Sequence, residues 1–428
     1  MTRWLARGAV AVAVVAALAL AWAIVRGTVA QSLVHVDPEE SVAWNGRNAD
    51  ALVALAEAGL TTTAGVPDAA AVRELGLRAL RSEPWNEPAL RVLALADDLG
   101  GADARAEVLM NLAAQRSPRD LGAEVWLFDQ RVKAGKVTDA LKAADIILRL
   151  RPDVLNMLLP ALTDMATNDT SRPALIAALG AGPPWRSAVL AALASSATPA
   201  TNNAVIVGLQ DSAHPLEAAE IGPYLDRLIG EGQYELSFLT WLRSLPVGES
   251  DQLPYVYNGD FELPPTGLPF DWSIGKIDGA TTELVDTGDK DHGVALHVVF
   301  AGARVAYHHV AKLLLLPPGT YRLNGTVKAD DIENARGVVW RMFCADAPDQ
   351  TLGTTPAVTG TNDWTSFTAS FEVPPTGCRA QWLRLEVAAS VAIEQQISGT
   401  IWYDKLSIQR VDTPAAAEEP PASSPGPT

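Results

Sequence analysis

In the first half of the chain, apolar residues return every three or four positions. The stretches so patterned are closed at a fixed interval of 34 residues by Pro84, Pro118 and Pro152. A three-to-four period is that of a helix with one buried face, and a 34-residue repeat of such stretches predicts stacked helix-turn-helix units. Counted back from the prolines, Gly101 aligns with Gly135 and Ala106 with Ala140. The glycines fall where the first helix of a pair must end, and small residues in the second helix let the two pack closely. Helical spacing continues through Pro173–Gly180, Trp185–Ala194 and Tyr234–Leu245, but the period is lost. These segments read as degenerate repeats that cap the solenoid, giving a helical domain over 41–245.

From Tyr257 the period shortens to two, and Pro/Gly clusters at 264–267, 317–319 and 374–377 separate short β-rich runs. The runs are Val294–Phe300, Arg304–Leu316, Thr320–Lys328, Val338–Cys344, Trp364–Val373, Gln381–Val387 and Gly399–Gln409. Seven runs at this spacing predict an antiparallel β-sandwich over 257–411. The fold class is therefore α then β, in separate domains.

Ahead of the helices lies Gly8–Val25, eighteen residues without a charge, flanked by Arg3 and Arg7 on one side and Arg26 on the other. As a helix it would be about 27 Å long, close to the hydrocarbon thickness of a bilayer. The basic start places the N-terminus in the cytoplasm and the body in the periplasm, as a single-pass inner-membrane protein. The alternative for residues 1–30 is a cleaved signal peptide ending at Thr28-Val29-Ala30. The apolar run exceeds the ~7–15 residues of a signal core, which favours an uncleaved anchor.

A formal net charge of −17 over 428 residues excludes a nucleic-acid partner and disfavours docking on anionic lipid. The two cysteines, Cys344 and Cys378, lie in what the topology makes an oxidising compartment, so a disulfide is expected. Residues 412–428, rich in Pro, Ala, Ser and Glu, read as a disordered tail.

The 34-residue unit, with a small residue in its turn, alanines in its second helix and a closing proline, resembles the tetratricopeptide repeat over 46 to 152. Trp126 lies near that family's tryptophan position, while Ala94 and Met110 stand where glycine and phenylalanine are common. The resemblance implies a concave groove for a protein partner. In the C-terminal half, Asn258-Gly259-Asp260-Phe261-Glu262, Trp272, Pro318-Gly319-Thr320-Tyr321, Trp364 and Gly399-Thr400-Ile401-Trp402-Tyr403-Asp404 together resemble the galactose-binding-type jelly roll of carbohydrate-binding modules. That resemblance implies a sandwich able to hold a polysaccharide.

Alternation in Asn258–Glu262 puts Phe261 toward the core and Glu262 on the other face, and in Ile401–Leu406 it opposes Asp404 to Tyr403. If the first and last strands pair, Glu262 and Asp404 meet at one edge. Such oxygens suit Ca²⁺, and modules of the resembled fold often carry a structural calcium there; the same carboxylates could equally be solvated or hold a turn.

A sugar ring stacks on an aromatic face while its hydroxyls need polar partners. The candidates are Tyr307, His309, Trp340, Trp382 and Arg384, with Trp382, Arg384 and Glu386 sharing the face opposite Leu383, Leu385 and Val387. The opposing reading buries Trp382 and Trp340 in the sandwich core or against the helices. Catalysis finds little support. His308 and His309 are adjacent and so point to opposite strand faces, and no Gly-x-Ser-x-Gly elbow, phosphate loop or His-x-x-x-His occurs.

The sequence thus reads as a non-catalytic, membrane-anchored scaffold whose solenoid binds a protein and whose sandwich binds a glycan, by analogy in envelope or exopolysaccharide assembly. Two other readings stay open. One is a polysaccharide hydrolase or lyase with its site between the domains, and the other a purely structural scaffold.

Overall fold

A computed structural model describes residues 2–61, 67–245 and 253–411; the tail expected over 412–428 lies outside them. Among the described residues fourteen α-helices precede ten β-strands. The chain divides into two compact units, Met1–Arg186 and Ser187–Thr428.

In the first unit α1 (Thr2–Leu33) and α2 (Pro38–Trp44) lead into three helix pairs: α3 (Ala49–Leu60) with α4 (Ala69–Ser82), α5 (Glu87–Leu99) with α6 (Asp103–Arg116), and α7 (Leu121–Lys133) with α8 (Val137–Leu150). Then come α9 (Leu155–Thr167) and α10 (Arg172–Gly180). The repeat has a local cause. Asn86 and Asp120, 34 positions apart, each cap the first helix of a pair, their side-chain oxygens accepting the N–H of Ala89 at 3.0 Å and of Ala123 at 3.1 Å. The turns inside the second and third pairs pass through Gly101 (φ +73°) and Gly135 (φ +68°), a left-handed conformation that favours glycine. Arg91 on α5 pairs with both Glu57 on α3 and the capping Asp120, so one guanidinium links three successive pairs.

Ala106 and Ala140 are fully buried in the second helices of their pairs. Ala140→Trp is expected to overpack that crossing and cost ~1–3 kcal/mol, read as a lower melting temperature of the helical unit. An unchanged melt would mean that the crossing is not tight.

The second unit joins α11 (Arg186–Ser196), α12 (Pro199–Gln210), α13 (Ala218–Gly230) and α14 (Tyr234–Ser244) to the sandwich. The division between the two units falls at Arg186, within the helical stretch 41–245. The strands are β1 (Ser273–Ile274), β2 (Ala280–Asp286), β3 (Val294–Arg304), β4 (Val310–Leu314), β5 (Gly319–Glu333), β6 (Val338–Cys344), β7 (Thr351–Thr354), β8 (Gly360–Val373), β9 (Gln381–Val387) and β10 (Gln396–Arg410). They form two antiparallel five-stranded sheets, ordered β1-β4-β9-β6-β7 and β2-β3-β10-β5-β8.

Between the sheets lies a core that includes Phe261, Trp272, Leu296, Trp340, Leu383 and Tyr403. A second cluster sits on the opposite side of the first sheet, where Trp241 and Tyr234 of α14 and Leu225 of α13 pack with Phe270, Leu313 and Ala380. Polar contacts reinforce this junction. Arg379 donates to the Gly232 carbonyl at 2.9 Å and pairs with Asp346, which also accepts from the Tyr234 hydroxyl. Cys344 and Cys378 are disulfide-bonded, joining the end of β6 to the segment before β9.

Three details depart from the period-two pattern. The run Arg304–Leu316 breaks, since β3 ends at Arg304 and β4 begins only at Val310. The opening motif is a turn rather than a strand, with Asn258 (φ +51°) and Phe261 (φ +56°) in the left-handed region. Phe261 still reaches the core, and the Gly259 carbonyl accepts from Leu406 of β10 at 2.7 Å. In β10 the register shifts between Asp404 and Ser407, with Lys405 at φ +54°; Tyr403 before the shift lies in the core, while Asp404 is buried against His292 of the β2–β3 loop.

Candidate functional site

Because the first sheet gives one face to the core and the other largely to the helices, the residues nominated on it do not form an open platform. Trp340 is 0% exposed and Tyr307 2% exposed, both within the sandwich core, and the Tyr307 hydroxyl hydrogen-bonds Thr282. Burial pushes the Tyr307 phenol above its ordinary range. Neither residue can stack on a sugar. Trp382 is partly buried against the helix-facing cluster with Trp241, so the covered reading of this residue describes its place.

Arg384 does share that face with Glu386, and its Nη2 donates to the Glu386 carboxylate at 2.8 Å. Its guanidinium carbon lies 4.6 Å from the centroid of Phe343, as does that of Arg341. Arg384 thus commits its Nε and one Nη2 N–H to Glu386. His309 lies just before β4, half-buried, its ring 4.5 Å from that of His308. Burial, then the neighbouring His308, hold its pKa below the ordinary histidine value.

The outward face of the second sheet is different. Strand register sets Trp402 on β10 beside His297 on β3 and Lys328 on β5, and His297 beside Glu283 on β2. Their side chains alternate with the inward Ile401, Tyr403, Leu296, Val298, Val327 and Ala329, so this cross-strand row points away from the core. The His297 ring stacks at 5.0 Å and 23° on Trp402, while the Lys328 ammonium lies 5.5 Å from the Trp402 centroid. His297 Nδ1 approaches a Glu283 oxygen at 3.4 Å but is not aligned for a hydrogen bond.

Beside this row is a groove of about 870 Å³, bordered by Trp402, Lys328, Trp364 and Asp363 and by the β2–β3 loop at Asp286 to Lys290. The loop is held by its own side chains. Gly288 N–H donates to Asp286, Asp289 N–H to Thr287 and Asp291 N–H to Asp289, at 2.9 to 3.1 Å. Trp364 is backed by His292, whose ring stacks on it at 3.9 Å and 13°. Trp364 itself lines the groove. The groove thus combines two tryptophans with carboxylate acceptors and a flexible ammonium donor. These are the elements that bind a ring with one apolar face and a rim of hydroxyls.

The same loop explains Glu262 and Asp404. Asp404, 2% exposed, has one oxygen 2.9 Å from His292 Nδ1, while the other accepts the Lys405 N–H at 2.6 Å. Burial raises its pKa, opposed by the bond to His292. Glu262 accepts the N–H of Val294 at 3.0 Å. Both carboxylates therefore close on the segment 292–294 through nitrogen donors. No group of three or more His, Cys, Asp or Glu suited to one metal ion occurs among the described residues. Calcium takes six to eight oxygens, so an ion at this edge would need backbone carbonyls beside the two carboxylates and would compete with His292 for Asp404. Melting of the sandwich unit is expected to be unaffected by EDTA. A clear rise in Tm on adding Ca²⁺ would show that the ion does displace the imidazole.

No family model matches the chain, and no curated protein matches it. Among solved structures, similarity is found to one described as "CBM4 structure and function" (19% identity, 36% of this chain and 99% of that one, TM-score 0.27). Another is TmCBM61 in complex with β-1,4-galactotriose (15%, 37% and 100%, TM-score 0.25). A third is the CBM22-1 xylan-binding domain from Paenibacillus barcinonensis (12%, 33% and 87%, TM-score 0.25). At these scores the likenesses carry no weight for fold or ligand.

Proposed function

We propose that the chain is a membrane-anchored, non-catalytic binding protein of the cell envelope whose sandwich recognises a neutral glycan on the outward face of its second sheet. The observation that carries this reading is the groove bordered by both Trp364 and Trp402. Asp286, Asp289 and Asp363 outnumber Lys290 and Lys328 there, which suits hydroxyls and repels a polyanion. The helix pairs, which we read as tetratricopeptide-like, would seat a protein segment, in keeping with a role in envelope or exopolysaccharide assembly.

The uncleaved anchor is supported by packing at the alternative cleavage site. Val12–Leu33 is long and apolar enough to cross a bilayer, a property it shares with a signal sequence. Yet Ala30 is fully buried, and its carbonyl accepts from Ser41 Oγ at 2.6 Å. Cleavage after Ala30 would strip a packed residue from the folded unit.

The test is calorimetric titration of the full-length protein in nanodiscs with a soluble xylan, a β-glucan and a galactan, with alginate as the acidic comparison. Binding to a neutral polymer and not to alginate is expected, without release of reducing ends. Failure of every neutral polymer would favour the purely structural reading, and new reducing ends would favour the hydrolase.

A further inference from the structure

Helix α1 does not stop where its apolar run stops. It continues unbroken to Leu33, and its last turns are built into the folded unit, where Ala30 and Val34 are buried. Gln31 holds the start of α3, donating to Asp50 at 3.3 Å and accepting from Asn48 at 3.2 Å. After the intervening turn, α2 packs back along α1. Ser41 contacts Ala30 and, farther on, Trp44 meets Trp22, with ring centroids 6.4 Å apart. Arg26 Nε donates to the Trp44 carbonyl. The end of α2 and the turn after it are therefore brought to the level of Trp22 and Arg26, where the uncharged stretch Gly8–Val25 ends.

That level is chemically distinct. Trp22 lies three residues before the end of that uncharged stretch, where an interfacial indole belongs. Around the turn 45–47 gather three arginines of an otherwise acidic chain. Arg26 and Arg47 are exposed; Arg78 is half-buried and donates to the Gly46 carbonyl at 3.5 Å. Beside them an open cleft of about 440 Å³ lies between Trp22, Arg26, Glu40 and Trp44. Guanidiniums next to amphipathic indoles match the phosphate layer of a bilayer, with phosphates as acceptors and the rings at headgroup depth.

Resting on the reading that α1 spans the membrane, we infer that α2 and the turn 45–47 form a seat for phospholipid headgroups, with Arg26 and Arg47 facing the phosphates. The anchor is then a rigid post that holds the helical unit down on the bilayer surface. Screening confines the interaction to charges within about 10 Å, so the acidic groups that count against the arginines are Glu39 and Glu40 of α2 and not the net charge of the chain.

The test uses nitroxide labels on the full-length protein in vesicles of phosphatidylethanolamine and phosphatidylglycerol. The only two native cysteines are disulfide-bonded and leave introduced ones as the sole targets. Labels are placed at Ala17→Cys, at Ala43→Cys and, as a water reference, at Lys142→Cys. Collisions with oxygen and with a water-soluble nickel chelate report depth. The seat predicts a label at 17 in hydrocarbon, one at 43 at headgroup depth with several-fold less nickel contact than at 142, and at least a two-fold rise in nickel contact at 43 when Arg26→Gln and Arg47→Gln are combined. A label at 43 as wet as that at 142, with 17 still in hydrocarbon, overturns the seat and leaves the anchor standing. A wet label at 17 overturns both.

Discussion

Trp364→Ala and Trp402→Ala are each expected to weaken glycan binding by about 2 kcal/mol or more, roughly 30-fold in Kd, since buried aromatic anchors dominate such sites. The geometry says why each should matter. Trp364 is held by its stack on His292, so little rotamer freedom is left to lose on binding. Trp402 is ordered by His297 on one side, and Lys328 beside it is a flexible chain that can swing to donate to a hydroxyl. Both tryptophans are half-exposed and lie outside the sandwich core, so circular dichroism and melting should stay close to wild type. Full affinity in both folded variants would remove the groove as the site. Trp340 cannot serve as a probe, because it is wholly inside the core and its loss would report on folding.

How much of this was legible in the sequence depends on the range of the information. Local periodicity located β6 and β9 to the residue and the alignment of Gly101 with Gly135, because strand alternation and helix caps are decided by neighbours a few positions away. It also grouped Trp382, Arg384 and Glu386 correctly on one face. What it left undecided is whether helices pack against that face, because the contact spans more than a hundred residues. The row Glu283–His297–Trp402–Lys328 needed the register of four strands, of which β2 was not recognised at all. One signal was available: alternation through Ile401, Trp402 and Tyr403 already turned Trp402 outward. At Asp404 what the sequence could not show is the cover: His292 of the β2–β3 loop buries the carboxylate, and the register shifts only beyond it. The β-rich run through Val310–Leu316 also concealed a lysine, at a position where alternation aims it into the core.

That lysine should make the stability of the second unit rise with pH. Lys312 lies on β4 between Val310 and Leu314, facing the sandwich interior, and is 1% exposed. Its ammonium sits 4.7 Å from the Trp272 centroid and 5.6 Å from that of Tyr257. Asp271 Oδ1 is 4.0 Å away, near enough for attraction but too far for a hydrogen bond, so neither atom has a hydrogen-bond partner in the protein. Burial outweighs the attraction of Asp271 and pushes the Lys312 pKa down from 10.5 to about 7. In the unfolded chain the amine keeps its proton up to its ordinary pKa. Below about pH 7 both states are protonated and the folded state bears the full cost of a buried ammonium. As pH rises from there toward 10.5, the unfolded chain holds the proton that the folded one has released, so stability increases. Between about pH 7 and 9.5 the gain should be roughly 2–3 kcal/mol. Lys312→Met keeps a similar volume without the titration, so the difference between wild type and variant isolates this group from the tyrosines that ionise above that window. Denaturant unfolding of both proteins across the window is expected to show the rise in wild type alone. Parallel curves would mean that Lys312 keeps its proton in the folded state, held by Asp271 and the two aromatic faces.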